Sequence, residues 1–155
     1  LNPIEGKTTI LYNRNNFYFR VLCCYEITSI KEREIFSSYY DAAFIVEYNK
    51  DINYFDSIVT SWSRDMHCYI IQVNESKYGD SRITLPRKTE EKNEVVIKGG
   101  RNAVVIVGNI DIKALRKFQS KPILAQFDDK SFKMTPPDFR IEGLICRKNN
   151  LKPNI

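Results

Sequence analysis

Four cysteines, one histidine and scattered carboxylates are the side chains of this 155-residue sequence that could carry covalent or metal chemistry. Cys23 and Cys24 are adjacent, so on a strand they project to opposite faces and cannot easily share one ion. Cys68 and Cys146 stand apart from them, and no C-x-x-C spacing occurs. His67, between Met66 and Cys68, is the sole imidazole, so it is the only partner for a Cys-His nucleophile or a zinc site. All four thiols lie in apolar runs, which predicts buried, reduced and unreactive cysteines. Asp128 and Asp129 with Asp138 or Glu142 could form a carboxylate cluster for phosphodiester chemistry, but a solvated turn accounts for them. Gly99 and Gly100 lack the Lys and Ser or Thr of a phosphate loop. No acid, base and nucleophile fall at usable spacing, so the sequence predicts no enzyme, no catalytic residue, no metal and no cofactor.

Charge gives a stronger signal. The net charge is +5, and between Ile97 and Phe127 the cations Lys98, Arg101, Lys113, Arg116, Lys117 and Lys121 face one acid, Asp111. An acidic partner is expected near that stretch rather than over the whole surface. No apolar run approaches the roughly eighteen residues a membrane span needs, so no membrane contact is expected. The thiols argue against secretion, which leaves the Asn74-Glu75-Ser76 sequon idle and favours an intracellular setting, the nucleus ahead of the cytoplasm. The chain opens on Leu1, as a domain cut from a longer protein does.

The elements that must position these residues read as mainly β, because β-branched and aromatic residues dominate the apolar runs. A long strand is predicted from Asn16 to Thr28, with Phe17, Phe19, Val21, Cys23, Tyr25 and Ile27 on one face by period two. Further strands are expected at Ala42 to Tyr48, Met66 to Val73, Arg82 to Leu85, Glu94 to Lys98, Ala103 to Val107, Ile123 to Phe127 and Phe139 to Arg147. Asp51 to Trp62 has helical spacing behind Asp51 as N-cap, which predicts a short helix. Asp111 to Ser120 fits a helical turn or an ordered loop. One domain is expected over 1–148, with a frayed polar tail over 149–155.

The stretch GGRNAVVIVGNIDIKALRKFQSKPILAQFDD resembles the fourth and fifth strands of an OB-fold of the kind found in replication protein A's middle subunit and in telomere end-binding proteins. Gly100, Val104, Ile106, Gly108, Ile123, Ala125 and Phe127 carry the resemblance. It implies a small closed or partly open β-barrel with one or two short helices, and a ligand face on the second and third strands. A pleckstrin-homology-like barrel uses the strand count better but lacks its C-terminal helix.

On that resemblance the two connectors supply a binding face for single-stranded DNA or RNA. Lys31, Arg33, Tyr39 and Tyr40 come from the first connector, Lys113, Arg116, Lys117 and Lys121 from the later one, and Tyr48 and Tyr69 from the face itself. Cations meet phosphates and aromatic rings stack bases. The function expected is a non-enzymatic binding module in a telomere, replication or RNA-processing assembly. The alternative is a barrel that docks a peptide or partner subunit without nucleic acid.

Overall fold

Alternation of large apolar residues lays down most of the strands. The computed structural model describes residues 8–153, and within them six strands form one sheet in sequence order. These are β1 (Tyr12–Arg14), β2 (Phe17–Cys23), β3 (Ala42–Glu47), β4 (Tyr69–Asn74), β5 (Ser81–Thr84) and β6 (Asn93–Ile97). Strands β2, β3 and β4 run parallel, with Phe19 opposite Ala42 and Ala42 opposite Tyr69. Antiparallel neighbours flank them on both sides. Parallel neighbours need a crossover. A 3₁₀ turn (Cys24–Thr28) and α1 (Ile30–Glu34) make the first, and α2 (Ile52–Asp65) makes the second.

The helix α2 forms where the sequence predicts it, and Asp51 caps it by accepting from the Tyr54 amide. Its stripe Phe55, Ile58, Val59 and Trp62 packs on one sheet face against Tyr18, Leu22, Ala43, Ile45 and Ile70. Trp62 is fully buried and its indole N–H donates to the Tyr40 hydroxyl at 2.9 Å. On the opposite face, a second core joins Ala42 and Tyr69 to Leu115 and Phe118 of α3 (Ile112–Gln119) and to Phe132.

The predicted barrel is corrected. Among the described residues, strands β1 and β6 do not pair, so the sheet keeps two open edges, and five α-helices accompany it. Two predicted strands are helices: Ile123 to Phe127 lies in α4 (Ile123–Asp128), and most of Phe139 to Arg147 lies in α5 (Ile141–Lys148). Both are short apolar runs whose composition fits strand and helix equally, and their contacts decide. In α5, Gly143 lies so close to the Ser38 carbonyl that a Cβ there would overlap it. The long first strand ends at Cys23, five residues before Thr28. Ala103 to Val107 pairs with no strand among the described residues, and it lies as a strap over β4 to β6, with Val104 and Ile106 beside Ile71, Ile83 and Val95. Of the predicted tail, residues 154–155 lie outside the described residues.

Candidate active site

A strand-to-turn corner at the end of β2 is one of several places where a non-glycine residue takes a positive φ, and the one that carries a cysteine, itself partly exposed. Cys24 has φ of +36°, in the left-handed region that costs an L side chain energy unless its surroundings enforce it. Those surroundings are visible. The Glu26 carboxylate accepts the Cys23 N–H at 2.7 Å, Thr28 donates to the Tyr25 carbonyl at 2.8 Å, and Ile27 is wholly buried beneath the turn. Farther on, buried Arg20 donates to the carbonyls of Glu32 and Ile35 and pairs with the Glu32 carboxylate at 3.5 Å. Its guanidinium also faces the rings of Phe36 and Tyr40 at 5.9 Å. The whole connector after Cys24 is therefore clamped to the sheet.

Neighbouring strand ends build the rest of this rim. Asn74, at the end of β4, donates to the carbonyls of Asn49 and Gly79 and accepts from the amides of Asn49 and Glu75, all at 2.9 Å. It thereby locks the loops that follow β3 and β4. Gln72 donates to Glu47 at 3.0 Å, and burial raises the Glu47 pKa. Tyr48 and Tyr78 meet edge to face at 5.3 Å with their hydroxyls 3.2 Å apart. The site thus lies at the carboxyl ends of parallel strands, where open α/β sheets present ligands to reactive groups.

The four thiols separate into two pairs. Cys68 is fully buried and Cys146 nearly so, with Cys146 donating to the Leu151 carbonyl at 3.0 Å. Burial raises both pKa values, which keeps these thiols protonated and inert as the sequence predicts. Cys23 is exposed and Cys24 partly so, contrary to the prediction of burial. No hydrogen bond reaches the Cys24 sulfur among the described residues. His67 is not a partner for it: the ring is buried, stacked on Phe118 at 5.7 Å, and bonded to Gln119 and to the Lys133 carbonyl. Asp129 pairs with Lys121 and accepts from Ser131, as a turn residue. Among the described residues no His, Cys, Asp and Glu group suits a metal ion.

The ten residues predicted to contact nucleic acid do not share a face. Tyr40 and Tyr69 are 1% exposed, and the Tyr69 hydroxyl is engaged with the Asp111 backbone, so neither can stack a base. Burial pushes the Tyr69 pKa up to about 12. Tyr39 is buried as well. Arg116 is spent on Asp41, with Nε to Oδ1 at 2.8 Å and Nη2 to Oδ2 at 2.6 Å. Lys121 is paired with Asp129. Lys113 and Lys117 are exposed on α3, and Lys31 is exposed and Arg33 half-buried on α1. Tyr48 is exposed at the far end of the sheet, about 20 Å from the row of Tyr69 at the strand rise of 3.3 Å.

No protein-family profile matches the chain, and no curated protein matches it in sequence. Solved structures do. A CN-hydrolase superfamily protein from Xanthomonas campestris, described with an arsenic adduct in its active site, superposes with a TM-score of 0.60 at 13% identity, over 84% of this chain and 54% of its own. An amidase from Nesterenkonia sp. gives 0.51 at 8% identity over 63% and 42%. A variant of that amidase is described with acrylamide added to its active-site cysteine. The glutamine-dependent NAD+ synthetase of Acinetobacter baumannii gives 0.50 at 13% over 73% and 26%. This chain spans about half or less of each of those structures.

These likenesses define the fold as the α/β type of the CN-hydrolases. They overturn the OB-fold resemblance and, with it, the telomere and nucleic-acid reading. The expectation of a non-enzymatic module is corrected as well, since the structures similar in fold are described as a CN-hydrolase superfamily protein, an amidase and a glutamine-dependent NAD+ synthetase.

Proposed function

We propose that this chain is the nucleophile-bearing part of a thiol-dependent hydrolase of carbon–nitrogen bonds, with Cys24 as the nucleophile. The observation that carries the reading is the left-handed Cys24 at the carboxyl end of β2. A reactive side chain on a strained strand-end turn stands clear of its own backbone and open to substrate. The Nesterenkonia amidase, similar in fold, is described with an active-site cysteine.

The reaction follows from the chemistry of a thiol. The Cys24 proton passes to a base, the sulfur attacks the amide carbonyl carbon, and a C–S bond forms while the carbonyl electrons move to oxygen. Collapse breaks the C–N bond, and the leaving nitrogen takes up a proton. Water then attacks the thioester, releasing a carboxylic acid and restoring the thiol. Strain at Cys24 fixes the sulfur's direction before substrate arrives, which removes part of the orientational cost.

Iodoacetamide labelling of the folded chain, mapped by peptide mass spectrometry, tests the assignment. Cys24 is expected to react first, Cys68 and Cys146 only after unfolding. Labelling of Cys23 ahead of Cys24, or equal labelling of all four, would remove the proposal.

A further inference from the structure

The strap over β4 to β6 roofs a cavity of about 180 Å³. Strand register builds the floor. Ile71, Ile83 and Val95 stand opposite one another on three adjacent strands, and the pleat turns all three to the face away from α2. Their sequence neighbours Gln72 and Arg82 point to the other face, where Gln72 bonds Glu47 and Arg82 pairs with Asp80 at 2.8 Å and with Asp56 of α2. Alternation builds the roof. Val104 and Ile106 line the cavity, while Val105 and Val107 are 92% and 89% exposed on the outer side.

The strap is fastened at its ends and not between them. At one end the Gly100 amide donates to the Ser76 carbonyl at 2.9 Å, and Gly99, with φ of +100°, lies so close to the Gly79 backbone that a Cβ there would overlap it. At the other end Gly108 sits directly on the Ile83 side chain. Among the described residues, 101–110 make no backbone–backbone hydrogen bond. A segment anchored in this way over a hollow lifts to admit a molecule and settles on it at little cost in broken bonds.

We propose that this cavity binds a small uncharged apolar molecule, an aliphatic or single-ring aromatic compound of about six to eight non-hydrogen atoms. Volume sets the size, since an apolar protein cavity of about 150 Å³ takes up benzene. The lining sets the chemistry. Floor and roof are aliphatic, and Arg82, the charged residue on the border, is engaged by Asp56 and Asp80 on the far face. No charge on the lining therefore compensates one that a ligand would bring in. Polar groups stand only toward the fastened end, at Asn102 and the backbone of Gly99 and Gly100, which is the form small-molecule sites take. The inference does not rest on the chemistry assigned to Cys24.

Toluene titrated into the 155-residue chain, with isoleucine and valine methyl groups labelled for NMR, is the test, and benzoate is the charged probe of similar size. Toluene is expected to give saturable shifts at Ile71, Ile83, Val95 and Val104 with a Kd of about 1 mM or tighter, and benzoate none. Val104→Phe fills the space from the roof and is expected to weaken toluene binding about tenfold or more. If that variant fails to fold by circular dichroism, Val95→Phe fills the space from the floor. Absence of saturation up to the solubility limit of toluene would overturn the proposal. So would equal shifts with benzoate, saturable shifts confined to the core around Leu115 and Phe118, or toluene binding unchanged in a folded filling variant.

Discussion

At the scale of single residues, the proposed chemistry turns on Cys24 and on what holds it. The Glu26 carboxylate bound to the Cys23 amide is a positioning group, since it fixes the corner without contacting a reacting atom in the structure. Removing a charge-assisted hydrogen bond of this kind costs about 1.5 to 3 kcal/mol where it is local. Glu26→Ala is therefore expected to slow Cys24 alkylation by iodoacetamide about tenfold, with global stability nearly kept, while Glu26→Gln retains most of the rate. Equal rates in Glu26→Ala and wild type would show that the corner holds itself. None of this is legible in the sequence. Adjacent cysteines in an apolar run read as strand residues, and a positive φ is enforced by Glu26, Ile27 and the Arg20 clamp acting together.

At the scale of elements, Arg116, from the basic stretch between Ile97 and Phe127, serves structure. Asp41 is wholly buried and receives Arg116 from α3 and Arg147 from α5. Arg147 also donates to the Ser38 carbonyl at 3.0 Å and to Gln119 at 2.9 Å, and burial lowers its pKa while the Asp41 charge opposes that shift. This cluster ties two helices to the start of β3. Arg147→Met leaves Asp41 with half its compensation, and breaking a buried pair in this way costs roughly 3 to 5 kcal/mol. Urea unfolding is expected to show that loss, and a change below about 1 kcal/mol would refute it. The sequence leaves Asp111 to Ser120 as a helical turn or an ordered loop and reads Phe139 to Arg147 as a strand, and in neither does it mark the arginine as buried. A buried arginine and a loop arginine look the same in composition, and only the placement of Asp41 separates them.

At the scale of the molecule, the helical region and the sheet share a second polar contact through His67, and it makes stability depend on pH. Burial lowers the His67 pKa to about 4 from an ordinary 6.5. Gln119 donates to Nδ1 at 3.1 Å, so Nε2 carries the proton donated to Lys133. The folded state refuses a proton that the unfolded chain accepts, so this contribution is complete above pH 6.5. It falls as pH drops toward 4, by as much as about 3 kcal/mol. Below that, both states are protonated and the decline from this group stops. His67→Gln is expected to flatten stability between pH 6.5 and 4 in thermal melts, and an unchanged slope would rule the histidine out. The same whole-molecule view explains the open sheet: one face is covered by α2, while the other is covered only at its lower end by α3 and at one side by the strap.

The sequence by itself determined the parts that depend on local pattern. The strands at Phe17, Ala42, Tyr69, Ser81 and Asn93 follow from alternation on half-buried surfaces, and α2 follows from its apolar stripe behind Asp51. The inert state of Cys68 and Cys146 follows from the runs that bury them. Tertiary structure alone decided that the strands run parallel in the centre, that the sheet stays open, and that Ile123 and Ile141 begin helices. It also decided which cysteine faces solvent at a strained corner. Strand order, helix docking and backbone strain are set by contacts between residues distant in the chain. Alternation is the same in a barrel and in a mixed sheet, so the pattern that located the strands could not say how they join.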